Sequence, residues 1–486
     1  MKRITKVLAI FIAVLLFASM ASSCGLTRIK DLINGVFETE TPIEELPFEE
    51  RAKKVMENIT SKSDEEKSMD VNLKMVFEGM ALNGSEFKVD VNGVSNYRYL
   101  ENGEYQYLQT QTISTILPGE NSDVSTHTLG YKGGKMFQTS SDDTLVTRVY
   151  SELTAEEFKE HMDKTYGVDD FGLTEEDYQI TSCEKIDNKR WVIEFSIFTE
   201  FGVDTIQKEL LSDIESLVSE THTISEITFT VIADDEFNMT GYEITAGFEV
   251  VDEKYKDRPM PTLEYSVKVE DVFSPKPIDN IDFGKYTRVS DLRAFDTVNK
   301  LLNEKIDDEY CELVSNVVSE LSINSGYNSR YDKHEISYEG FYKNTENGFE
   351  YNFDVSQTDS LDVNVDYKNL TQVTNNGNYS QTKSFKTDHS AKIFVDNLID
   401  PIGISIDGLK EAMLYDGKSD LYKFEFINTG ASFGYTSSTL GSSIKTDVAT
   451  LDVVIKNDEI VSISYELIVE SNNGITITVT VNCQYE

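Results

Sequence analysis

Period-two alternation limits how this chain can fold more than any other feature. Val71, Leu73, Met75 and Phe77 recur at every second residue, the spacing that puts side chains on one face of a strand. Tyr97 and Tyr99 are followed by Tyr105 and Tyr107 across the turn Glu101-Asn102-Gly103. Two further runs, Leu129-Gly130-Tyr131 and Lys135-Met136-Phe137, bracket Lys132-Gly133-Gly134. Asn-Gly and Gly-Gly turns fold a strand back on its neighbour, so the pairing is antiparallel. A strand is expected at Trp191-Val192-Ile193-Glu194-Phe195-Ser196-Ile197, and a terminal meander over about 226–271.

Helical spacing interrupts the strands in a few places. Near Phe48 it sets Ala52, Val55 and Met56 on one face. Thr154 stands as N-cap before Ala155-Glu156-Glu157-Phe158. A longer amphipathic helix is expected at about 204–219, with Ile206, Leu210, Leu211, Ile214 and Leu217 on one stripe.

This order then returns. VIADDEFNMTGYEI at 231–244 and VIKNDEIVSISYEL at 454–467 share six of 14 positions at an offset of 223. Ala155 to Met162 is echoed by Ala391 to Leu398, and Trp191 to Phe195 by Tyr422 to Phe426, at offsets of 236 and 231. Three echoes in one order indicate an internal duplication. Chains split into domains beyond roughly 250–300 residues, which this one exceeds. The boundary is expected near Phe273-Ser-Pro-Lys-Pro-Ile278, where two prolines end the first meander. Helical segments around 290–321 would open the second copy. The domains expected are therefore 48–275 and 285–486. Each is a curved antiparallel sheet with helices covering one face, an α+β arrangement in tandem repeat.

The first residues carry a different signal. Met1-Lys2-Arg3-Ile4-Thr5-Lys6 precedes a 14-residue apolar run, Val7 to Met20, too short to span a bilayer, which takes roughly 20 residues. A basic start, a short apolar stretch and small residues make an export signal over 1–23. Residues 24–47, with Glu38-Thr39-Glu40-Thr41-Pro42, make a flexible tether. Removing the leader takes away Lys2, Arg3 and Lys6 and no acid, so the formal net charge goes from −42 to −45. Such acidity argues against nucleic-acid or anionic-lipid binding, and keeps the body soluble.

Ala21-Ser22-Ser23-Cys24 resembles the lipobox of bacterial lipoproteins, with Ala21 where that family usually has Leu. The resemblance implies diacylglycerol on the Cys24 thiol, a fatty chain such as palmitate in the anchor, and cleavage before the cysteine. Each buried CH₂ would contribute roughly 0.8 kcal/mol to the anchor. With its leading helix, long meander and helices on one side, the chain also resembles the half-barrel lipoproteins related to the carrier LolA and the mycobacterial lipid-carrier lipoproteins. Lipoproteins of Gram-positive anaerobes have a similar tyrosine and glycine-lysine rhythm. The resemblance covers residues 48–486 in architecture, and implies a sheet surface under helices where relatives hold an acyl chain.

From the residues themselves, the 204–219 helix either completes the core or lids an apolar cavity. In the second reading, Phe195 and Ile197, on one face of their strand, line the cavity with Phe201, Ile206, Leu210 and Ile214.

No chemistry emerges beside this. His127, His161, His222, His334 and His389 are scattered without metal-ligand spacing. Gly430-Ala431-Ser432-Phe433-Gly434 fits a nucleophile elbow, but the following residues read as loop and no histidine comes after His389. Gly133-Gly134-Lys135 lacks the phosphate-loop spacing. Asp234-Asp235-Glu236 and Asp359, Asp362 and Asp366 lack a calcium loop's glycine. Cys183, Cys311 and Cys483 are odd in number and form no CxxC; export permits one disulfide among them without choosing it. The expectation is an extracytoplasmic, lipid-anchored, non-enzymatic protein with no cofactor or metal. It binds an apolar, lipid-like ligand or, failing a cavity, acts as a surface structural or interaction module.

Overall fold

The computed structural model describes residues 43–63, 67–80, 84–116, 123–141, 146–166, 178–187, 189–197, 222–250, 254, 256–325, 328–345, 348–358, 360–385, 388–399, 406, 408–414, 420–427, 444–471 and 475–486. They fall into two compact units, one drawn from residues 1–144 and 153–282, the other from 145–152 and 283–486. The expected 204–219 helix lies outside the described residues, as does the Ser432 motif.

In the first unit α1 (Phe48–Ser63) leads into β1 (Met69–Met80), β2 (Glu86–Tyr99), β3 (Tyr105–Ile116), β4 (Asp123–Tyr131) and β5 (Lys135–Ser141). The next strand, β6 (Val146–Glu152), counts with the second unit. Then come α2 (Ala155–Tyr166), β7 (Tyr178–Ile186), β8 (Arg190–Ile197), β9 (His222–Asp234), β10 (Met239–Val250) and β11 (Thr262–Asp271). The sheet order is β5-β4-β3-β2-β1-β11-β10-β9-β8-β7.

The hairpins form where turn chemistry permits. Gly103 and the pair Gly133 and Gly134 adopt φ of 81°, 58° and 75°, values that a Cβ disfavours. Thr154 and Glu157 close a capping box at the start of α2: the Thr154 N–H donates to Glu157 Oε2 at 2.7 Å, and the Glu157 N–H to Thr154 Oγ1 at 3.2 Å.

In the second unit β6 pairs in parallel with β12 (Thr287–Arg288). Next come α3 (Leu292–Lys305), β13 (Tyr310–Ser325), β14 (Asn328–Thr345), β15 (Gly348–Gln357), β16 (Val363–Lys368), β17 (Thr371–Asn375) and β18 (Ser380–Ser384). After α4 (His389–Ile399) follow β19 (Leu409–Leu414), β20 (Leu421–Ile427), β21 (Ile444–Lys456), β22 (Glu459–Ser471) and β23 (Ile475–Tyr485). The order is β18-β17-β16-β15-β14-β13-β23-β22-β21-β20-β19.

One expectation is corrected here. The helical stretch around 290–321 ends at Lys305, and Tyr310–Ser325 is strand. Val314, Val317 and Val318 are β-branched and stiff in a helix. As strand, this stretch is hydrogen-bonded on one side to β14 and on the other to β23.

Both units share a chain path. A helix comes first. Strands then step outward from the middle of the sheet, a second helix follows, and five strands return from the far edge, so that β1 meets β11 and β13 meets β23. The chain is thus mostly β: two large open antiparallel sheets with few helices, rather than an even mix.

Candidate functional site

Register fixes which side chains share a sheet face, because directly opposed residues point the same way. Across nine strands of the first unit one row reads Ser125, Ile113, Val91, Met75, Tyr265, Ile244, Phe229, Phe195, Ile180. All but Ser125 are apolar or aromatic. The row beside it reads His127, Gln111, Gly93, Leu73, Val267, Tyr242, Val231, Ile193, Cys183. This second row is polar at its β4–β2 end and apolar beyond.

Helices cover the two ends of this face. Ala52, Val55, Met56 and Ile59 of α1 pack on Cys183, Trp191, Ile193, Val231 and Ala233. At the other end Phe158 of α2 lies 4.9 Å from the Tyr131 ring and 5.7 Å from Tyr107. Between them the Tyr242 and Tyr265 hydroxyls meet at 3.0 Å.

The polar end of the face is unusual in its burial. Ser95 is 0% exposed, and Gln109 and Gln111 are each 1% exposed. The Tyr107 hydroxyl donates to Gln109 Oε1 at 2.5 Å. Gln109 Nε2 and both polar atoms of Gln111 have no hydrogen-bond partner among the described residues. Each such group costs about 1–3 kcal/mol if nothing meets it. Gly93 opposes both Leu73 and Gln111 and sets no side chain on the face there. Burial pushes the Tyr107 phenol up to about 12, and raises Tyr97 well above its usual value, so both stay neutral at physiological pH.

The second unit answers the same positions differently. Tyr97, Tyr107 and Tyr131 oppose one another on β2, β3 and β4, as Tyr342, Tyr351 and Tyr367 do on β14, β15 and β16. Counting on from these tyrosines, Gln109 corresponds to Phe353, Gln111 to Val355, Gly93 to Tyr338 and His127 to Val363. Phe394 of α4 then packs on Tyr351, Phe353 and Tyr338, with centroids at 5.2, 6.3 and 6.3 Å. Phe353 and Tyr338 thus set rings in the second unit where Gln109 and Gly93 stand in the first.

Of the residues singled out from sequence, Phe195 and Ile197 share the inner face of β8 with Trp191 and Ile193. Phe195 is half-buried, 6.2 Å from the Phe229 ring and 5.9 Å from Tyr178. Ile197 is buried opposite Ile227. Cys24, Phe201, Ile206, Leu210 and Ile214 lie outside the described residues. The glutamines were missed, although the signal was present: Gln109 and Gln111 continue the alternation that Tyr105 and Tyr107 begin and Ile113 ends.

Elsewhere the residues are quieter. A cleft of about 340 Å³ beside Asn96, Arg98 and Lys276 lies on the outer face, where Asp70 Oδ1 holds Arg98 at 2.5 Å. Cys183, Cys311 and Cys483 are buried and outside any disulfide among the described residues, and burial raises the first two above their usual range. Among the described residues no His, Cys, Asp and Glu group is arranged to hold a metal ion, and no helix is long and apolar enough to cross a membrane. Asp366 accepts from Asn352 Nδ2 at 2.9 Å, on a partly solvated strand face.

No protein-family model and no curated protein matches this chain. Among solved structures, the lipoprotein LppX of Mycobacterium tuberculosis matches 46% of this chain and 97% of its own, at 14% identity and a TM-score of 0.22. A DUF1329-family protein from Desulfovibrio piger matches 45% and 91%, at 10% identity and a TM-score of 0.16. A DUF3598-family protein from Nostoc punctiforme matches 85% and 95%, at 7% identity and a TM-score of 0.14. Values this low leave function to the residues themselves.

Proposed function

We propose that this chain is an exported lipoprotein, anchored through lipid on Cys24 to the extracytoplasmic face of a membrane, whose first unit binds an apolar, lipid-like ligand. One observation carries the binding: the inner face of that unit sets eight apolar or aromatic residues in register across successive strands, from Ile113 to Ile180. The α1 and α2 contacts fall toward the ends of this face. Sites for small apolar ligands are built from such surfaces with a few placed polar groups. The reading assigns the chain no catalysis, cofactor or nucleic acid.

The two units are read as tandem copies. Their shared chain path supports this, as do the matched tyrosine trios, each under a helix phenylalanine at equivalent positions of the 155–162 and 391–398 echo. Copies diverge where function diverges, and the aromatic residues that stand at these positions of the second unit, with Phe394 packed on them, favour a structural or protein-interaction role for that half.

Two experiments test the reading. Cells grown with a clickable palmitate analogue should label the wild-type chain and leave Cys24→Ala unlabelled; equal labelling would remove the anchor. The purified full chain should take up a fluorescent fatty-acyl probe at about one equivalent, and no saturable uptake would remove the ligand.

A further inference from the structure

We propose that Gln109 and Gln111, with Ser95, form a docking site for an uncharged hydrogen-bonding head on the ligand, which makes that ligand a neutral amphiphile rather than a hydrocarbon or a charged lipid. This rests on the reading of the first unit as an apolar-ligand site.

The two amides and the serine stand on adjacent strands, Ser95 directly opposite Gln109 and Gly93 directly opposite Gln111. All three side chains are at least 99% buried. Gln111 brings both a donor and an acceptor with no partner among the described residues, and Gln109 brings a donor. A buried amide in this state is a binding group waiting for its complement. The missing complement is itself both donor and acceptor, as a hydroxyl or a primary or secondary amide is.

Charge narrows the choice. The inward positions of β2 to β4 here are Val91, Gly93, Ser95, Gln109, Gln111, Ile113, Ser125, His127 and Leu129, with no Asp, Glu, Lys or Arg among them. A phosphate, carboxylate or ammonium head would lose its hydration against these positions, among which the His127 imidazole is the one titratable group. A hydroxyl or amide needs no such partner. From Gly93 the same row passes through Leu73, Val267 and Tyr242 to Val231. At about 4.8 Å per strand this buried apolar row runs for roughly 20 Å, the span of a chain laid across the strands with its head at Gln111.

The test compares three probes that share a sixteen-carbon chain: monopalmitoylglycerol, palmitate and hexadecane, each titrated into the purified full chain. Monopalmitoylglycerol should bind at least tenfold more tightly than the other two. Gln111→Leu should remove that preference, bringing monopalmitoylglycerol down to the affinity of hexadecane; Gln111→Asn, which withdraws the amide by one methylene, should weaken it in part. Thermal unfolding of each variant confirms that it is folded. If all three probes bind equally, or Gln111→Leu leaves the preference intact, the head site is wrong and the apolar site stands. Preference for palmitate also overturns it, in favour of an anion site. Failure of all three probes overturns the apolar site as well.

Discussion

The two units run through the same sequence of helices and strands, yet they treat one stretch of sheet in opposite ways. In the first, Gly93, Ser95, Gln109 and Gln111 occupy inward positions and are almost wholly buried. In the second, Tyr338, Phe353 and Val355 stand at those positions, and Tyr338 and Val355 are only half-buried. Burial normally follows the hydrophobic effect: apolar groups go in and amides stay wet. Here the amides are the better buried set. A folded chain tolerates that inversion when the buried groups have a task that a filled core cannot perform, and the proposed head site would give the unpartnered Gln111 such a task.

Substitutions can break this comparison. The largest effect is expected at the helix phenylalanines. Phe158 is fully buried over Tyr107 and Tyr131, and Phe158→Ala should cost about 3–5 kcal/mol in chemical denaturation. Phe394 is half-buried, so Phe394→Ala should cost less, roughly 2 kcal/mol. Equal losses would mean that the two faces are packed alike. Next come the swapped positions. Gln111→Leu should raise the stability of the ligand-free chain by about 1–3 kcal/mol, by removing an unmet amide. Val355→Gln should lower stability by under about 1 kcal/mol, because water reaches that site. A destabilising Gln111→Leu would show that the amide is satisfied.

Acid sharpens the contrast further. His222 opens β9 in the first unit, fully buried, and burial, with Arg258 second, holds its imidazole below the usual range. The unfolded chain therefore binds this proton more readily than the folded one, and stability falls as pH drops through the ordinary histidine range near 6.5. His222→Gln should flatten that slope between pH 8 and 5.5, and an unchanged slope would acquit the residue. The smallest effect concerns the thiols. Cys183 and Cys311 are buried with raised pKa, so a thiol reagent should modify them only on unfolding, and reductant should leave the Tm unchanged.

How far the fold was legible follows from which forces write themselves into sequence. The β2–β3 and β4–β5 hairpins and the start of α1 were readable because alternation, Asn-Gly and Gly-Gly turns and helical spacing are local signals. Thr154 was readable as a cap for the same reason. Tyr310–Ser325 reads differently in sequence, because apolar residues such as Leu313, Val314, Val317 and Leu321 also fit a helical spacing. What makes it strand is pairing to β23, more than 150 residues away. Within the candidate site, Phe195 and Ile197 were placed on a shared face by alternation. Gln109 and Gln111 give no such apolar signal, because glutamine in a strand is ordinarily a solvent-facing residue. That their amides are buried and unmet depends on what lies above the sheet, which no local pattern encodes.

The central claim is that the first unit holds an apolar ligand on its inner face. Native mass spectrometry of the full chain, released from its membrane and purified without detergent, tests this most directly. The account expects a bound, organic-extractable mass beyond that of the anchor, reduced when Val91 and Leu73 are replaced together by Asn. A clean ligand-free mass that no added lipid shifts would contradict it.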